Sequence, residues 1–375
     1  MTPETNRITV SPLASSPESP QRQTPQTRVR DQHLPKGRVG FITLISLLVV
    51  TLVIVILFSL ATGAVRVSPG EILAALFGHH PLTATQQIIL LQIRLPRILA
   101  SGVVGAALAI SGLMFQGLFR NPMADPYVIG SSGGAVLGAC IGIFFFSQLS
   151  LFGFSATALL AFAGSVITMA IVYSLARSNG RTNVITLLLA GFAVSTMLGY
   201  SSYFFELIDS NSGSSHLILL SWLHGVIGIP QWTQLAVTGA LLLFAAVMAM
   251  PLMRRLNTLA LGDEYAHQLG LKVEYTRIGI ILTGSLLTAV AVSLGGLISF
   301  AGLIVPHVAR LLLGPDHVRL LPVTALSGAI FLVIADTLAR SVFAPNEIPV
   351  GILMALLGGP FFLYLLRKTK RSYVL

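Results

Sequence analysis

Charge and cysteine are scarce in this chain of 375 residues. Charged side chains make up 10% of it against 54% hydrophobic residues, and Cys140 is the single cysteine. One cysteine can form neither an internal disulfide nor a cysteine-based metal site. So few charges on so apolar a sequence exclude a soluble globular domain, whose surface needs them to stay in water.

Motifs for nucleotide and metal chemistry are also missing. The phosphate-binding loop GxxxxGK[ST] requires a Gly-Lys pair, and the chain contains none. No HExxH motif occurs, and the adjacent His79 and His80 are interpreted as solvated loop residues. We therefore expect a non-catalytic protein with no metal site and no cofactor. Basic residues cluster in short segments between apolar runs, which indicates membrane topology rather than binding of nucleic acid.

Long apolar runs recur along the chain from residue 41 onward. The first, 41–63, exceeds the roughly 20 residues with which a helix crosses the hydrocarbon core of a bilayer. We predict an all-α membrane protein with ten transmembrane helices. Their approximate positions are 41–63, 94–114, 127–147, 154–176, 184–207, 232–253, 276–295, 296–314, 321–341 and 348–367.

The distribution of Lys and Arg predicts the orientation of these helices. If the N-terminus is cytoplasmic, nineteen of the 23 basic residues fall on the cytoplasmic side, so both chain ends are expected there. Residues 1–39, rich in Pro, Ser, Thr and Gln, are predicted to be a disordered polar tail. The transmembrane domain is predicted at 40–368 and a short cytoplasmic C-terminus at 369–375.

The third predicted span carries glycines four residues apart, which places them on one helix face. Such a stripe lets a neighbouring helix approach closely, and packing is favoured over pore lining because a pore would need non-helical carbonyls. The residues are Gly130, Gly134, Gly138 and Gly142.

An ion-coupled secondary transporter of a small organic solute is the alternative function. It would require acidic residues within the membrane, and the candidates are Glu206, Asp209, Asp336 and Glu347. All four are placed near the outer ends of spans, away from the midplane. Asp336 also has Arg340 one turn later, the spacing of an ion pair on a helix.

Three arginines are predicted at the outer ends of spans, where the charge bias disfavours them. Arg94 and Arg97 either extend toward lipid headgroups or pair with carboxylates of an external partner. Arg340, distant in sequence, falls at the same level, which favours a docking site for that partner.

The segment 260–271, "ALGDEYAHQLGL", is predicted to form a short cytoplasmic helix. Asp263 and Glu264 fall in its first turn, and Gly270 is placed to end it. Leu261, Tyr265 and Leu269 recur at four-residue spacing and form an apolar stripe on a helix too short to be stable alone. It must pack either on its own bundle or in a groove of a soluble partner.

Five stretches in order resemble the FecCD-type permeases, the membrane subunits of binding-protein-dependent ABC importers for ferric siderophores, haem and vitamin B12. They are "RLPR…GAALAISGLMFQGLFRNPMADP", "LALGDEYAHQLGL", "GLISFAGLIVPHVARLLLGPDH", "LLPVTALSGAIFLVIADTLAR" and "IPVGILMALLGGPFFLYLL". The resemblance extends from about residue 60 to 367. It implies a permease in a bacterial cytoplasmic membrane, translocating such a complex with ATP hydrolysed elsewhere. Typical members lack the long polar tail.

The resemblance also implies partners and roles. The expected partners are two cytoplasmic ABC ATPases, a periplasmic or lipoprotein substrate-binding protein, a second permease copy in a homodimer, and membrane lipid. The segment 260–271 matches the coupling helix seated in the ATPase, and Arg94, Arg97 and Arg340 match arginines that face the binding protein. Thr182 and Asn183 correspond to the inner gate. The coupling residues are Leu261, Gly262, Asp263, Glu264, Tyr265, Ala266, Gln268, Leu269 and Gly270, and those of the path are Thr196, Ser201, Ser202 and Phe205.

Overall fold

The described residues are almost entirely helical. The computed structural model describes residues 38–63, 67–68, 70–72, 83–151, 153–178, 181–208, 213–342, 344 and 346–370. Most of the predicted tail, the end of the predicted C-terminus, His79, His80 and Asp209 lie outside these residues.

The helices follow one another with short connections. They are α1 (Arg38–Ala61), α2 (Ala84–Leu118), α3 (Ser131–Phe145), α4 (Ala156–Ala176), α5 (Val184–Ile208), α6 (Gly213–Leu223), α7 (Trp232–Leu259), α8 (Asp263–Gln268), α9 (Val273–Gly295), α10 (Ala301–Leu313), α11 (His317–Ser341) and α12 (Val350–Lys370). Within α2, residues Ile88–Arg94 form a π-helical stretch. Two antiparallel pairs of two-residue strands complete the secondary structure of the described chain, β1 (Ser150–Leu151) with β2 (Phe154–Ser155) and β3 (Arg177–Ser178) with β4 (Arg181–Thr182).

Each predicted span coincides with a helix, although three of these helices are short. Among the described residues, seven helices are long and apolar enough to cross a membrane: α1, α2, α4, α5, α7, α9 and α11. The apolar helices α3 and α10 and the apolar part of α12, Val350–Tyr364, have 10–17 residues each. The chain is therefore a helical membrane protein, and the count of ten crossings stays a prediction.

Helix α2 lies at the centre of the bundle. It packs against α7, α9, α10 and α11, and its residues from Val104 to Phe115 are buried. Glycines make the closest approaches: a Cβ on Gly105 would lie 2.2 Å from the carbonyl oxygen of Gly328, and one on Gly112 1.8 Å from that of Gly302. Because these distances exclude any side chain, glycine at these positions lets α10 and α11 contact α2 backbone to backbone.

Two features depart from the sequence prediction. Helix α10 begins at Ala301 rather than 296, because Gly296 with φ of 64° ends α9 and a bend follows, in which the Ile298 amide donates to the Tyr127 hydroxyl at 3.3 Å. Helix α6 occupies a segment predicted as a loop. Its Leu219 is buried with Val136 and Cys140 of α3, and this packing stabilises the helix.

Candidate functional site

Helix α8 lies within the segment predicted to contact an ATPase. Glycines flank it, since Gly262 has φ of 118° and Gly270 φ of 79°, in the region that favours glycine. Asp263 and Glu264 stand in its first turn, where carboxylates stabilise the free amide groups. The predicted segment 260–271 therefore contains a helix of six residues.

Asp263 joins α8 to two other elements. Its carboxylate accepts from Arg120 Nη2 at 2.8 Å, and its second oxygen is bound by Arg277 of α9. Arg120 Nη2 also donates to the carbonyl oxygen of Leu259, the last residue of α7, at 2.6 Å. With Ala266 fully buried, one side of α8 packs on the helices of its own chain.

The other side of α8 carries an uncovered apolar stripe. Leu261, Tyr265 and Leu269 keep 63%, 65% and 68% of their surface exposed, and Glu264 and Gln268 are exposed beside them. The helix thus packs on its own bundle, which is one of the two alternatives left open by the sequence. Its apolar stripe is exposed in the single chain, and the contact with a soluble partner stays a prediction.

The predicted gate turn is bonded to the start of α9. Glu274 accepts hydrogen bonds from the Thr182 amide at 3.1 Å and from the Thr182 hydroxyl, and Arg277 Nη1 donates to the Thr182 carbonyl oxygen at 3.1 Å. Asn183 begins α5, because its side-chain oxygen accepts from the amides of Ile185 at 2.9 Å and Thr186 at 3.2 Å. Arg277 therefore bridges α8 and the turn before α5.

Sequence reasoning missed the three charged residues that make these connections. Arg120 and Arg277 entered only the count of basic residues on the cytoplasmic side, and Glu274 was not considered. The signal that could have found two of them is their spacing: Glu274 and Arg277 stand three residues apart in the first turns of α9, and so share a face.

The predicted path residues lie on α5, where the hydroxyl groups bond within the helix. Thr196 donates to the Phe192 carbonyl at 2.8 Å, Ser201 to that of Met197 at 2.9 Å, and Ser202 to that of Gly199 at 2.5 Å. Such bonds to the preceding turn satisfy a hydroxyl in an apolar setting. Phe205 packs edge-on against Phe145, with ring centroids 5.7 Å apart.

One face of α5 is uncovered in the single chain. Its exposed large side chains are Ile185, Leu189, Phe192, Met197, Tyr200, Tyr203, Phe204 and Leu207. An unbroken apolar face of this length marks a surface that meets lipid or another protein.

A cavity of about 610 Å³ lies beside α5. Phe192, Ser195 and Thr196 of α5 line it together with Asp125, Tyr127, Ser132, Ser299, Phe300 and Phe362. Asp125 accepts from the Tyr127 amide at 2.9 Å, and burial raises the pKa of its carboxyl above the usual range. The walls otherwise present hydroxyl groups and aromatic rings.

The three outer arginines contact groups of their own chain. Arg94 Nη1 donates to the Leu60 carbonyl oxygen at 2.6 Å. Arg97 Nη2 lies 3.1 Å from Asp336 and its Nη1 2.7 Å from Glu347, while Arg340 Nε lies 3.1 Å from Asp336. Arg94 and Arg340 are buried, so the geometry assigns these side chains to joining α1, α2 and α11. Their docking of an external partner stays a prediction, and would require some of these contacts to open.

Two of the acidic candidates for ion coupling, Asp336 and Glu347, both contact Arg97. Asp336 is 1% exposed and lies between Arg97 and Arg340, and the expected i, i+4 pair with Arg340 is present. Glu347 is 51% exposed and bound to Arg97. Asp336 therefore belongs to an ion-pair cluster that joins helices of its own chain.

The glycine stripe faces α4. A Cβ on Gly134 would lie 2.2 Å from the Gly164 carbonyl oxygen, one on Gly138 2.0 Å from that of Leu160, and one on Gly142 2.6 Å from the Thr157 Cα. Gly130 differs, since it precedes α3 and, with φ of 98°, ends the short 3-10 turn Pro126–Ile129.

Comparison with protein families decides the identity of the chain. The FecCD transport family matches residues 51–368. The chain belongs to the FecCD family. The match includes every described helix except the first turns of α1 and the last residues of α12, so the α8 segment, α5 and the outer arginines all lie within it.

Individual relatives of the chain agree with its assignment to the FecCD family. It is 45% identical over 283 residues to the cobalamin import system permease protein BtuC of Halobacterium salinarum, covering 76% of this chain and 74% of that protein. It is 42% identical over 287 residues to the hemin transport system permease protein HmuU of Yersinia pestis, covering 76% and 84%. Other relatives are named for iron(3+)-hydroxamate, molybdate and Fe(3+)-citrate import.

A solved structure has the same fold. The chain matches an inward-facing conformation of a metal-chelate type ABC transporter with a TM-score of 0.76 and 32% identity, over 87% of this chain and 99% of that one. The protein is therefore an ABC importer permease of the FecCD family. Its relatives are named as permease proteins of import systems.

Proposed function

We propose that this permease translocates a metal chelate, namely an iron–siderophore, haem or cobalamin complex, into the cytoplasm with ATP hydrolysed on two partner subunits. The observation that carries the proposal is the arrangement of α8. Its Asp263 is bound by Arg120 and Arg277, while the stripe of Leu261, Tyr265 and Leu269 is bare. A small helix with a fixed base and a bare apolar face suits a groove in a soluble protein.

The contacts of Arg277 supply a route from the ATPase to the membrane path. Movement of α8 shifts Asp263, and Arg277 is bound both to Asp263 and to the carbonyl of Thr182. Thr182 and Asn183 lead directly into α5, whose residues Thr196, Ser201, Ser202 and Phe205 are proposed to line the path. We infer that nucleotide-driven displacement of α8 reorients α5 through this connection.

The proposed path suits a bulky chelate of low charge. Hydroxyl groups and aromatic rings dominate the 610 Å³ cavity beside α5, and Asp125 is bonded to backbone. Such walls contact a ligand without binding it tightly, which favours release. Specificity then resides in the external binding protein that delivers the chelate.

The assembly proposed here has two copies of the chain, two ATPases and one external binding protein. We propose ten spans, with both termini in the cytoplasm of a bacterium. In this topology α8 lies beside the ATPases, and Arg97 lies at the opposite end of the membrane domain. The exposed face of α5 is proposed to meet the second copy along the central axis. Docking of the binding protein would then engage Glu347 and Arg97, of which Glu347 is half exposed.

Reconstitution tests the function directly. The full chain is co-expressed with its ATPase, placed in liposomes with the binding protein, and supplied with ferric siderophores, haem, cobalamin and molybdate in turn. We expect uptake of one chelate class that requires ATP. Deletion of residues 262–270 should abolish ATPase co-purification and uptake together. Uptake driven by an ion gradient without ATP would support the secondary transporter instead, and uptake of molybdate alone would replace the chelate with an oxyanion.

A further inference from the structure

A groove lies between the helices α7 and α11. Its volume is about 500 Å³, and its floor is formed by the buried Ile110, Met253 and Leu321. Pro251 and Pro322, one from each helix, stand in its walls with Met250. Proline lacks an amide hydrogen, so each helix lacks one backbone hydrogen bond at this level. The groove is open to the outside of the bundle.

The lining is apolar except at one end. Arg254 is the only charged lining residue, and it stands one turn beyond Met250 along α7. Its side chain is exposed and has no hydrogen bond or ion pair with the part of the chain that the structure describes. Asp316, the nearest acidic residue along α11, already accepts from Asn257 at 2.7 Å and from the Val318 amide at 3.0 Å. A free cation thus stands at the end of an apolar groove.

We propose that this groove binds one anionic phospholipid, with an acyl chain along Met250 and Pro322 and the phosphate at Arg254. The helices that form it are long enough to span a membrane, so the groove faces lipid in the single chain. Arg254 follows the apolar part of α7 at the end that the charge distribution assigns to the cytoplasm, the level of the inner-leaflet phosphates. A guanidinium binds a phosphate through parallel hydrogen bonds. In a zwitterionic choline headgroup the choline cation partly neutralises the charge of the phosphate.

The experiment compares lipids that share acyl chains. The full transporter is purified with phosphatidylglycerol or phosphatidylcholine, and the lipid retained per chain is counted by native mass spectrometry. We expect the wild type to retain one phosphatidylglycerol in preference to phosphatidylcholine. Arg254→Gln should reduce that preference about fivefold, since one basic residue near an anionic surface contributes about that factor. Arg177→Gln, at an exposed site on the same side, should leave it unchanged.

Two further variants test the contribution of the groove to lipid retention separately from that of the headgroup contact. Ala325→Phe fills the groove from α11, and Met250→Trp fills it from α7. Met250 is exposed, so a larger side chain is tolerated there. At least one of the two variants should fold normally, as judged by size-exclusion chromatography. Both should lose the retained lipid. Equal retention of the two lipids, retention unaffected by Arg254→Gln, or full retention in the folded groove variants would overturn the proposal. A disulfide-linked dimer formed by Met250→Cys would also overturn it, because a protein helix would then fill the groove.

Discussion

Arg277 donates to the carbonyl oxygen of Thr182 at 3.1 Å while its other terminal nitrogen binds Asp263. These two contacts connect the helix proposed to meet the ATPase with the turn that begins α5. The guanidinium can make both at once because its donors form a rigid planar fork. This geometry gives the first prediction.

Arg277→Gln should uncouple ATP hydrolysis from transport. The ATPase still binds, because the stripe on α8 is intact, but its movement no longer reaches Thr182. A hydrogen bond to a charged group contributes about 1.5 kcal/mol, which corresponds to a factor of about ten. Uptake per ATP hydrolysed should fall by about that factor. Arg277→Lys keeps the charge but cannot make both contacts. Its uptake per ATP hydrolysed should lie between the values of the wild type and Arg277→Gln. The measurement is the ratio of uptake to phosphate release in proteoliposomes, with the exposed Arg255→Gln as control. An unchanged ratio in Arg277→Gln would remove Arg277 from the route.

Tyr265→Ala should separate the permease from its ATPase without unfolding it. Its ring is exposed, so truncation removes no internal packing, whereas a buried aromatic anchor at an interface contributes about 2 kcal/mol or more, over tenfold in affinity. Tyr275→Ala is the matched control, since Tyr275 is also exposed and lies ten residues further along the chain. ATPase retained on the tagged permease gives the readout. Equal loss in both variants would point to general disruption of this surface.

Asp336→Asn should destabilise the protein far more than Glu347→Gln. Both acids bind Arg97, but Asp336 is 1% exposed and also binds Arg340, so its removal leaves the buried Arg340 without a counter-charge and Arg97 with Glu347 alone. The expected loss is about 3–5 kcal/mol for Asp336 and below about 1 kcal/mol for Glu347.

Thermal unfolding in detergent, followed by fluorescence, compares the two variants. A purely docking role for the outer arginines would give the opposite pattern. Stability would then be unchanged in Asp336→Asn, and only the affinity for the external binding protein would change.

Gly138→Ala should weaken the packing of α3 on α4. The added methyl group would lie 2.0 Å from the Leu160 carbonyl oxygen, so the helices must separate at a cost of about 1–3 kcal/mol. Gly239→Ala in α7 meets nothing within 4 Å and should be neutral or stabilising by up to about 1 kcal/mol. The difference in unfolding temperature between the two variants is the test, and equal temperatures would show that α3 adjusts freely.

Much of the fold was readable from the sequence. Apolar runs of sufficient length located the helices, because only a backbone that satisfies its own hydrogen bonds can cross hydrocarbon. Asp263 and Glu264 marked the first turn of α8 and Gly270 its end, and Gly270 has a φ of 79° in the structure. Helix α6 was missed because its apolar stretch is too short to span, and its stability depends on contacts with α3 that local sequence does not encode.

The sites were only partly predictable. The charge bias placed Arg94, Arg97 and Arg340 at one level, but it carries no information on their partners, and the Arg97–Asp336 contact joins residues 239 positions apart. The same limit hid Arg120, whose contact with Asp263 spans 143 positions. Spacing rules report neighbours along one helix, whereas these pairs depend on how separate helices pack.

The bare stripe on α8 has a consequence for how the cell handles the subunit. An apolar surface exposed to soluble proteins promotes chaperone binding, self-association and proteolysis until the partner ATPase covers it. Newly made chains should therefore accumulate only as fast as that enzyme is supplied, so that the stoichiometry of the complex is enforced by turnover of unassembled copies.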